Sequence, residues 1–536
     1  MVLSMKVRCV ASRREENQMN IRHILRLIIT LVSALGTAGL VAWASPSPPA
    51  RPRALSAALC PPLDPPGGAT VTVSTEAELR NQAQNAVPGT TILVAAGTYN
   101  LQDAVWVQHD NVIIRGATGN RDDVILDGGG MLTWSHTHVI AINADDVAIA
   151  DLTIRNGDEH GVSVQGSDRP TLYNLHILDS GYQLVKVNPV GDGSEGGLLA
   201  CSRLEYTTTS PEDYTNGISA HDAHDWIVRD NEWYRIRTPG NEPVPTILFW
   251  SGSSGTVVER NLLVDCYQGI SFGNASHGPG DHSGGIVRNN FIYASQPHDV
   301  VIEMVHAAGW LVANNTALLL DPVSGVGHGM EARYSDSSGT FAYNLTNMDI
   351  ALDRDGANGA GTGNVTDAHS NWFVDPSSAD LHLVGAATAA IDRAATLAQV
   401  SDDYDGDGRP IGSAPDVGAD EYDFPPPARA NGFRVSRAIT DSTTLTATLT
   451  WLSPAEAVTV TLRFSNTLIG VDNWAGATLL TDTLPGSASI FTATLPYAGG
   501  TVYFGHRSQD GLGQWSAPAN AFWPASHVYL PLVSRN

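Results

Sequence analysis

Lysine is almost missing from this chain: in 536 residues it occurs only as Lys6 and Lys186, so arginine carries nearly all the positive charge. The formal net charge is −25. That acidic balance excludes a nucleic-acid or anionic-membrane partner, since both require a basic face. Cysteine is scarce as well. Cys9, Cys60, Cys201 and Cys266 form no metal-spaced cluster and no dense disulfide framework. Cys201 and Cys266 lie on separate apolar runs, where buried free thiols are expected in preference to a disulfide. The apolar run at residues 27–43 follows Arg22, His23 and Arg26 and ends in the small residues around Ala42 and Ala44. It reads as a secretory signal peptide over residues 1–44, with Met19 as an alternative start. An uncleaved anchor is the competing reading, but the run is short for a span. After cleavage no membrane span is expected.

What the chain does have is a repeat. The stretch VVERNLLVDCYQGISFGN, residues 257–274, is its clearest copy, and looser copies run from about residue 146 to 352. Placing one polar turn residue per copy in register gives Asp151, Asn174, Ser202, Asn231, Asn261, Asn290, Asn315 and Asn344. The intervals are 23, 28, 29, 30, 29, 25 and 29 residues. Such a period, with apolar and polar residues alternating inside each copy, marks an all-β solenoid whose coils bury their apolar faces only by stacking. The asparagines are expected to be structural, tolerating the left-handed backbone of a sharp turn.

Before the repeat, residues 45–68 are proline-rich and expected to form an extended tether. The motifs GTTILVAAGTY (89–99), NVIIRGA (111–117) and VILDGGG (124–130) then resemble the opening of pectin-lyase-like right-handed parallel β-helix proteins. The resemblance covers roughly residues 70–385 and implies a right-handed parallel β-helix, read with its closing region as a domain over residues 69–423. It leaves activity open, because that superfamily includes lyases, hydrolases, epimerases and non-catalytic adhesins. QPHD at 296–299 is only faintly similar to the Asp-Pro-His of alginate epimerases. Residues 401–422 resemble a segment that closes such β-helices in secreted bacterial proteins, within a closing region at 343–423. A stiff linker at 424–431 leads to residues 432–523, which resemble a small fibronectin type III-like β-sandwich with Trp451 and Tyr503 as core aromatics. The apolar tail at 524–536 is either a sorting signal or a last strand docked on the sandwich.

In a β-helix, equivalent residues of successive coils stack about 4.8 Å apart, so outward positions form columns. Aligning the strands gives one outward column of Ser163, Lys186, Ser219, Leu248, Ser271, Val301, Glu331 and Ala351. Its neighbour is Gln165, Asn188, His221, Trp250, Gly273, Glu303, Arg333 and Asp353. Long loops at 190–197, 206–216 and 235–245 are expected to wall the resulting cleft on one side and to bring Glu212, Asp213, Tyr214, Arg235 and Glu242 toward it.

Lys186 stands out, because after leader removal it is the only lysine and it falls within a strand. Elimination on a uronate needs a base for the proton beside the carboxylate and a positive group to neutralise that carboxylate. Lys186 fits as base, His221 as a second proton carrier, and Arg333 or Arg235 as neutraliser. The plainer alternatives are a surface lysine paired with a carboxylate and, for His221 in the HDAHD stretch at 221–225, a solvated turn. Asn188, Arg235 and Asp213 are candidate substrate contacts, and Trp250 a flat surface for a sugar ring. Glu303 and Glu331, diagonal on adjacent coils and about 8 Å apart, would suit an inverting glycoside hydrolase unless they pair with Arg333. Asp403, Asp405 and Asp407 alternate as in calcium loops but lack the glutamate at the twelfth position, so Ca2+ competes with a plain polar turn. The sequence thus reads as a secreted or surface-attached monomer that takes a polysaccharide or cell-surface glycan along its flank. Polysaccharide lyase is the favoured activity and a non-catalytic, adhesin-like glycan binder the alternative.

Overall fold

The computed structural model describes residues 59–65, 68–133, 137–240, 244–320, 329–423, 429–440, 443–455, 457–471, 473–509 and 515–523. The expected leader, the start at Met19, Glu242 and the tail at 524–536 lie outside these residues, as does most of the proline-rich tether.

Alternation inside each copy becomes alternation of side-chain direction. In the groove ladder, the ten parallel strands from Val105–Val107 to Ile350–Arg354, residues such as Val185, Val187, Ile218, Ala220, Ile247, Phe249, Ile270 and Phe272 are fully buried in one core running the length of the solenoid. Their neighbours Lys186, Ser219 and Ser271 point to the other side. A second ten-stranded parallel ladder, from Gly97–Asn100 to Leu345–Thr346, and a longer one containing Thr70–Val73 and Asn358–Thr362 complete the coil. The chain is therefore the parallel β-solenoid the repeat called for. Its N-terminal end is covered by the helix Glu76–Asn85, started by a capping box in which Thr75 and Glu78 exchange side-chain and backbone hydrogen bonds. Leu79 and Ala83 are its buried face.

The turn residues differ in detail from expectation. Asp151 and Asn174 themselves adopt the left-handed conformation, but in later coils that position belongs to Cys201, Asp230, Arg260, Asn289, Asn314 and Tyr343. Ser202, Asn231, Asn261, Asn290, Asn315 and Asn344 stand one residue later, so from Asn231 onward the ladder serves through hydrogen bonding rather than through tolerance of positive φ. Asn261 Oδ1 accepts from the Asn231 amide and Nδ2, and the pattern repeats through Asn290, Asn315 and Asn344 to Asn364.

Cys266 is the buried free thiol expected, but Cys201 is not: it is bonded to Cys60. The proline-rich segment is correspondingly no free tether there. Leu63 and Cys60 pack on Ala150, Tyr173, Ala200 and Cys201, the Tyr173 hydroxyl donates to the Pro61 carbonyl, and Arg115 donates to the Asp64 carbonyl at 2.9 Å. The expectation failed because Cys201 takes an outward turn position, where a strap from outside the repeat can reach it. Because the bridge closes a loop of 141 residues in sequence separation, replacing Cys60 and Cys201 by serine should lower stability by about 2–4 kcal/mol. Thermal melts of the double variant against the parent, without reductant, measure this.

Residues 368–422 do more than close the end. They run back along the outside of the second ladder, where Phe373, Leu381, Leu383 and Tyr404 pack against Leu262, Phe291, Tyr293 and Leu318. Beyond residue 430, antiparallel sheets of three and four strands enclose a separate core with Trp451, Leu462 and Phe504 buried. Tyr503 is not in that core. It points to the opposite side of its strand, onto a small cluster of Ile469, Trp474 and Ala477.

Candidate functional site

The strand register of the groove ladder corrects both columns, with Arg354 rather than Asp353 beside Arg333. Ser163, Lys186, Ser219, Leu248, Ser271, Glu303, Glu331 and Ala351 are successive partners. Glu303, not Val301, stands in line with Lys186, and Val305 takes the place given to Glu303 beside Arg333. The slip of two residues arises in the irregular stretch before Ile302, where no repeat residue marks the phase. His221 pairs with Trp250 as expected, and Asn188 precedes them beside Gln165. Lys186, Asn188, His221 and Trp250 therefore form one patch. Glu303 lies four strand spacings from Lys186, about 19 Å, and Arg333 about 24 Å away.

Lys186 is only 5% exposed. It has no carboxylate partner among the described residues, so the surface ion pair is excluded. Its Nζ lies 2.8 Å from His221 Nε2, 3.1 Å from the Tyr214 hydroxyl and 3.4 Å from Ser219 Oγ. Burial pushes its pKa down to about 8. His221 is held still further from its charged form: burial first, then the Lys186 charge and His277, lower its pKa to about 3. A ring kept neutral at ordinary pH accepts the lysine's hydrogen bond and aims the amine. It is unsuited to the proton carrying first assigned to it.

Tyr214 comes from the loop between Arg203–Glu205 and Ile218–His221, which enters the groove ladder at its upstream edge. Residues 235–240 join it there, with Asp213 accepting the Gly240 amide at 3.2 Å. Asp213 thus ties two loops rather than facing Lys186. The 190–197 segment leaves from the opposite edge, after Val185–Asn188, and continues into the short strand Ser194–Glu195, so the three segments do not share one side. Trp250 is 9% exposed, with His221 edge-on at 4.4 Å and His277 tilted against it at 4.3 Å between ring centroids. Its faces are occupied by protein, and it is a backing for histidines rather than an open platform. Asn188 donates to Ser163 Oγ at 3.4 Å and keeps partial exposure.

Neither arginine is free to neutralise a substrate at Lys186. Arg235 bonds Glu205 at 2.8 Å and the Tyr206 carbonyl. Arg333 bonds Glu303 at 3.1 Å and Asp355 at 3.0 Å. Glu303 and Glu331 are direct partners, not diagonal neighbours. Burial, and then the adjacent Glu331 charge, push the Glu303 carboxyl above the usual carboxylate range despite Arg333. Side by side on adjacent strands, the two residues stand one strand spacing, ~4.8 Å, apart, short of the roughly 6.5–9.5 Å across which an inverting hydrolase places its water. The pair belongs to an ion network that also takes in Arg354.

The alternating aspartates do not converge. Asp403 is buried and its oxygens accept the amides of Asp405, Asp407 and Glu421, Asp405 meets His382 Nε2 at 3.0 Å, and Asp407 is exposed. His298, in the QPHD stretch, is buried against the Cys266 carbonyl. In HDAHD, His224 lies in the short strand Ala223–His224 and bonds Ser254 and Asp222 rather than His221.

Solved structures with a similar coil include an alginate lyase from Paenibacillus sp. str. FPU-7 at 17% identity and TM-score 0.40, covering 55% of this chain and 99% of that one. Pectate lyase Pel9A aligns at 12% identity and TM-score 0.47, covering 67% and 98%. A mannuronic acid specific polysaccharide family 6 lyase from human gut microbiota aligns at 12% identity and TM-score 0.34, covering 55% and 80%. No family model and no curated protein matches the sequence.

Proposed function

We propose that this is a secreted, monomeric enzyme that cleaves an acidic polysaccharide by β-elimination in the groove beside Lys186. The observation that carries the reading is a buried lysine, unpaired with any described carboxylate, whose amine is aimed by a neutral histidine and touches a tyrosine hydroxyl. Neutral Lys186 takes the proton on the carbon bearing the uronate carboxylate. The electron pair forms the ring double bond, the bond to the neighbouring glycosidic oxygen breaks, and that oxygen is protonated by Tyr214, which sits within one hydrogen bond of the base. Tyr214 was legible in the sequence only as one residue of a long loop. The bond between Cys60 and Cys201 suits an oxidising, extracellular setting, and no described helix is long and apolar enough to cross a membrane.

A panel of alginate, polygalacturonate and glucuronate-containing glycans, read by ultraviolet absorbance of unsaturated ends and by reducing sugars, tests the reading. New reducing ends without absorbance would replace elimination by hydrolysis, and binding without any product would make the groove a glycan-holding surface. A calcium contribution from Asp403, Asp405 and Asp407 would appear as a fall in Tm after dialysis against a chelator. With Asp403 accepting three backbone amides and Asp405 engaged by His382, we expect no shift, and a fall of several degrees that Asp407→Ala abolishes would restore the calcium reading.

A further inference from the structure

The loop at 274–281 carries a histidine that the repeat pattern gave no reason to notice. Gly273 makes the loop possible: its φ is +80°, and a Cβ there would lie 1.8 Å from the Val305 carbonyl oxygen. The strand Gln268–Phe272 therefore ends, and the chain turns away at the groove edge opposite Tyr214. Asn274 starts the turn, its side chain accepting the Ser276 amide at 2.9 Å and its carbonyl the His277 amide at 3.0 Å. Asp281 closes it. Buried to 4% exposure, it accepts the Ser251 amide at 2.6 Å, the Asn274 amide at 2.8 Å and His277 Nδ1 at 2.9 Å.

Three donors fix that carboxylate, and the carboxylate fixes the ring. With Nδ1 carrying a proton toward Asp281, the ring's other nitrogen, Nε2, is left without a bond to any described residue. The ring lies against Trp250, whose other neighbour is His221, the group that aims Lys186. His277 keeps 36% of its side chain exposed. A solvent-facing histidine held by a buried carboxylate, one indole away from the histidine on the base, is better ordered than a turn requires.

We propose that His277, oriented by Asp281 and backed by Trp250, is a further substrate-contacting residue: its Nε2 hydrogen-bonds a ring hydroxyl of the uronate unit adjacent to the one over Lys186. This rests on the groove binding a polyuronate, as proposed above. Asp281 is then a positioning residue that fixes the ring.

Isothermal titration of the Lys186→Met protein with hexamers of mannuronate, guluronate and galacturonate reads binding without turnover. In that background His277→Ala should weaken the hexamer that binds by at least tenfold. Asp281→Asn should weaken it several-fold, and His277→Gln, which keeps a hydrogen-bonding group, should recover part of the loss. His306→Ala, which removes a histidine paired with Asp336 at 2.8 Å and stacked on Tyr334, should change it less than twofold. With Lys186 intact, His277→Ala should raise KM more than it lowers kcat. If His277→Ala binds as tightly as its parent while Lys186→Met abolishes cleavage, the contact is refuted and elimination stands. If the enzyme cleaves nothing but the tenfold loss is seen, elimination is refuted and the contact stands. Failure of all three hexamers to bind overturns both.

Discussion

Lys186→Met should yield a folded protein that releases unsaturated ends about a thousandfold more slowly than the parent, within the range that a positioned general base contributes. Lys186→Arg should not rescue it, because a guanidinium stays charged at any working pH and cannot take a proton. The parent's own pH dependence follows from the same residue. The base acts without its proton, so with a pKa near 8 the rate should climb with pH and level off above that value, standing at roughly a hundredth of its plateau at pH 6. Stability separates this from a structural role. The folded-state pKa of Lys186 lies below its ordinary 10.5, so between pH 8 and 10.5 the unfolded chain binds more protons and stability from this group rises with pH. Below pH 8 the full penalty for the buried charge is present, on the order of 3 kcal/mol at most. Methionine removes that penalty. The variant should therefore be inactive and, at pH 7, no less stable than the parent, as denaturant titration will show. A surface lysine in a carboxylate pair would instead lose little activity and slightly destabilise.

The coil was legible because its physics is local and repeated. Alternation fixes which side chains enter the core, and a period near 29 residues fixes that coils stack, so Lys186, Asn188, His221 and Trp250 fell into place from spacing alone. The phase was lost where the repeat was weakest: Glu303 follows an irregular stretch, and a two-residue slip moved it between outward columns. Three other features depended on pairings that lie outside the repeat. Cys60 reaches Cys201 from outside the repeat, Tyr214 reaches Lys186 from a loop, and Asp281 orients His277 through a turn. Such pairings leave no periodic trace. The carboxylate pair misled for a related reason, since residue types suggested hydrolysis while the true register placed the two acids too close together for it.

Asn290→Ala should cost about 3–5 kcal/mol, more than its modest change in volume suggests. The side chain is fully buried and links three coils. Its Oδ1 accepts from the Asn261 amide at 2.9 Å and from Asn261 Nδ2 at 3.0 Å, while its Nδ2 donates to the carbonyls of Val258 and Arg288 and to Asn315 Oδ1. Alanine would leave the Asn261 amide without its acceptor, Asn261 Nδ2 one acceptor short and Asn315 Oδ1 one donor short, in a place water does not reach. Each buried polar group so orphaned costs about 1–3 kcal/mol. Because a solenoid's stability is carried by contacts between neighbouring coils, the damage should centre there. Melts should show Tm falling by roughly 5–10 °C, and amide exchange should rise first at Asn261 and Asn290. Asn290→Asp keeps the acceptor but loses the donors and buries a charge, so it should be at least as harmful. Asn364→Ala, at the half-exposed end of the ladder, should cost far less. Equal losses at Asn290 and Asn364 would show that the ladder is not what holds the coils in register.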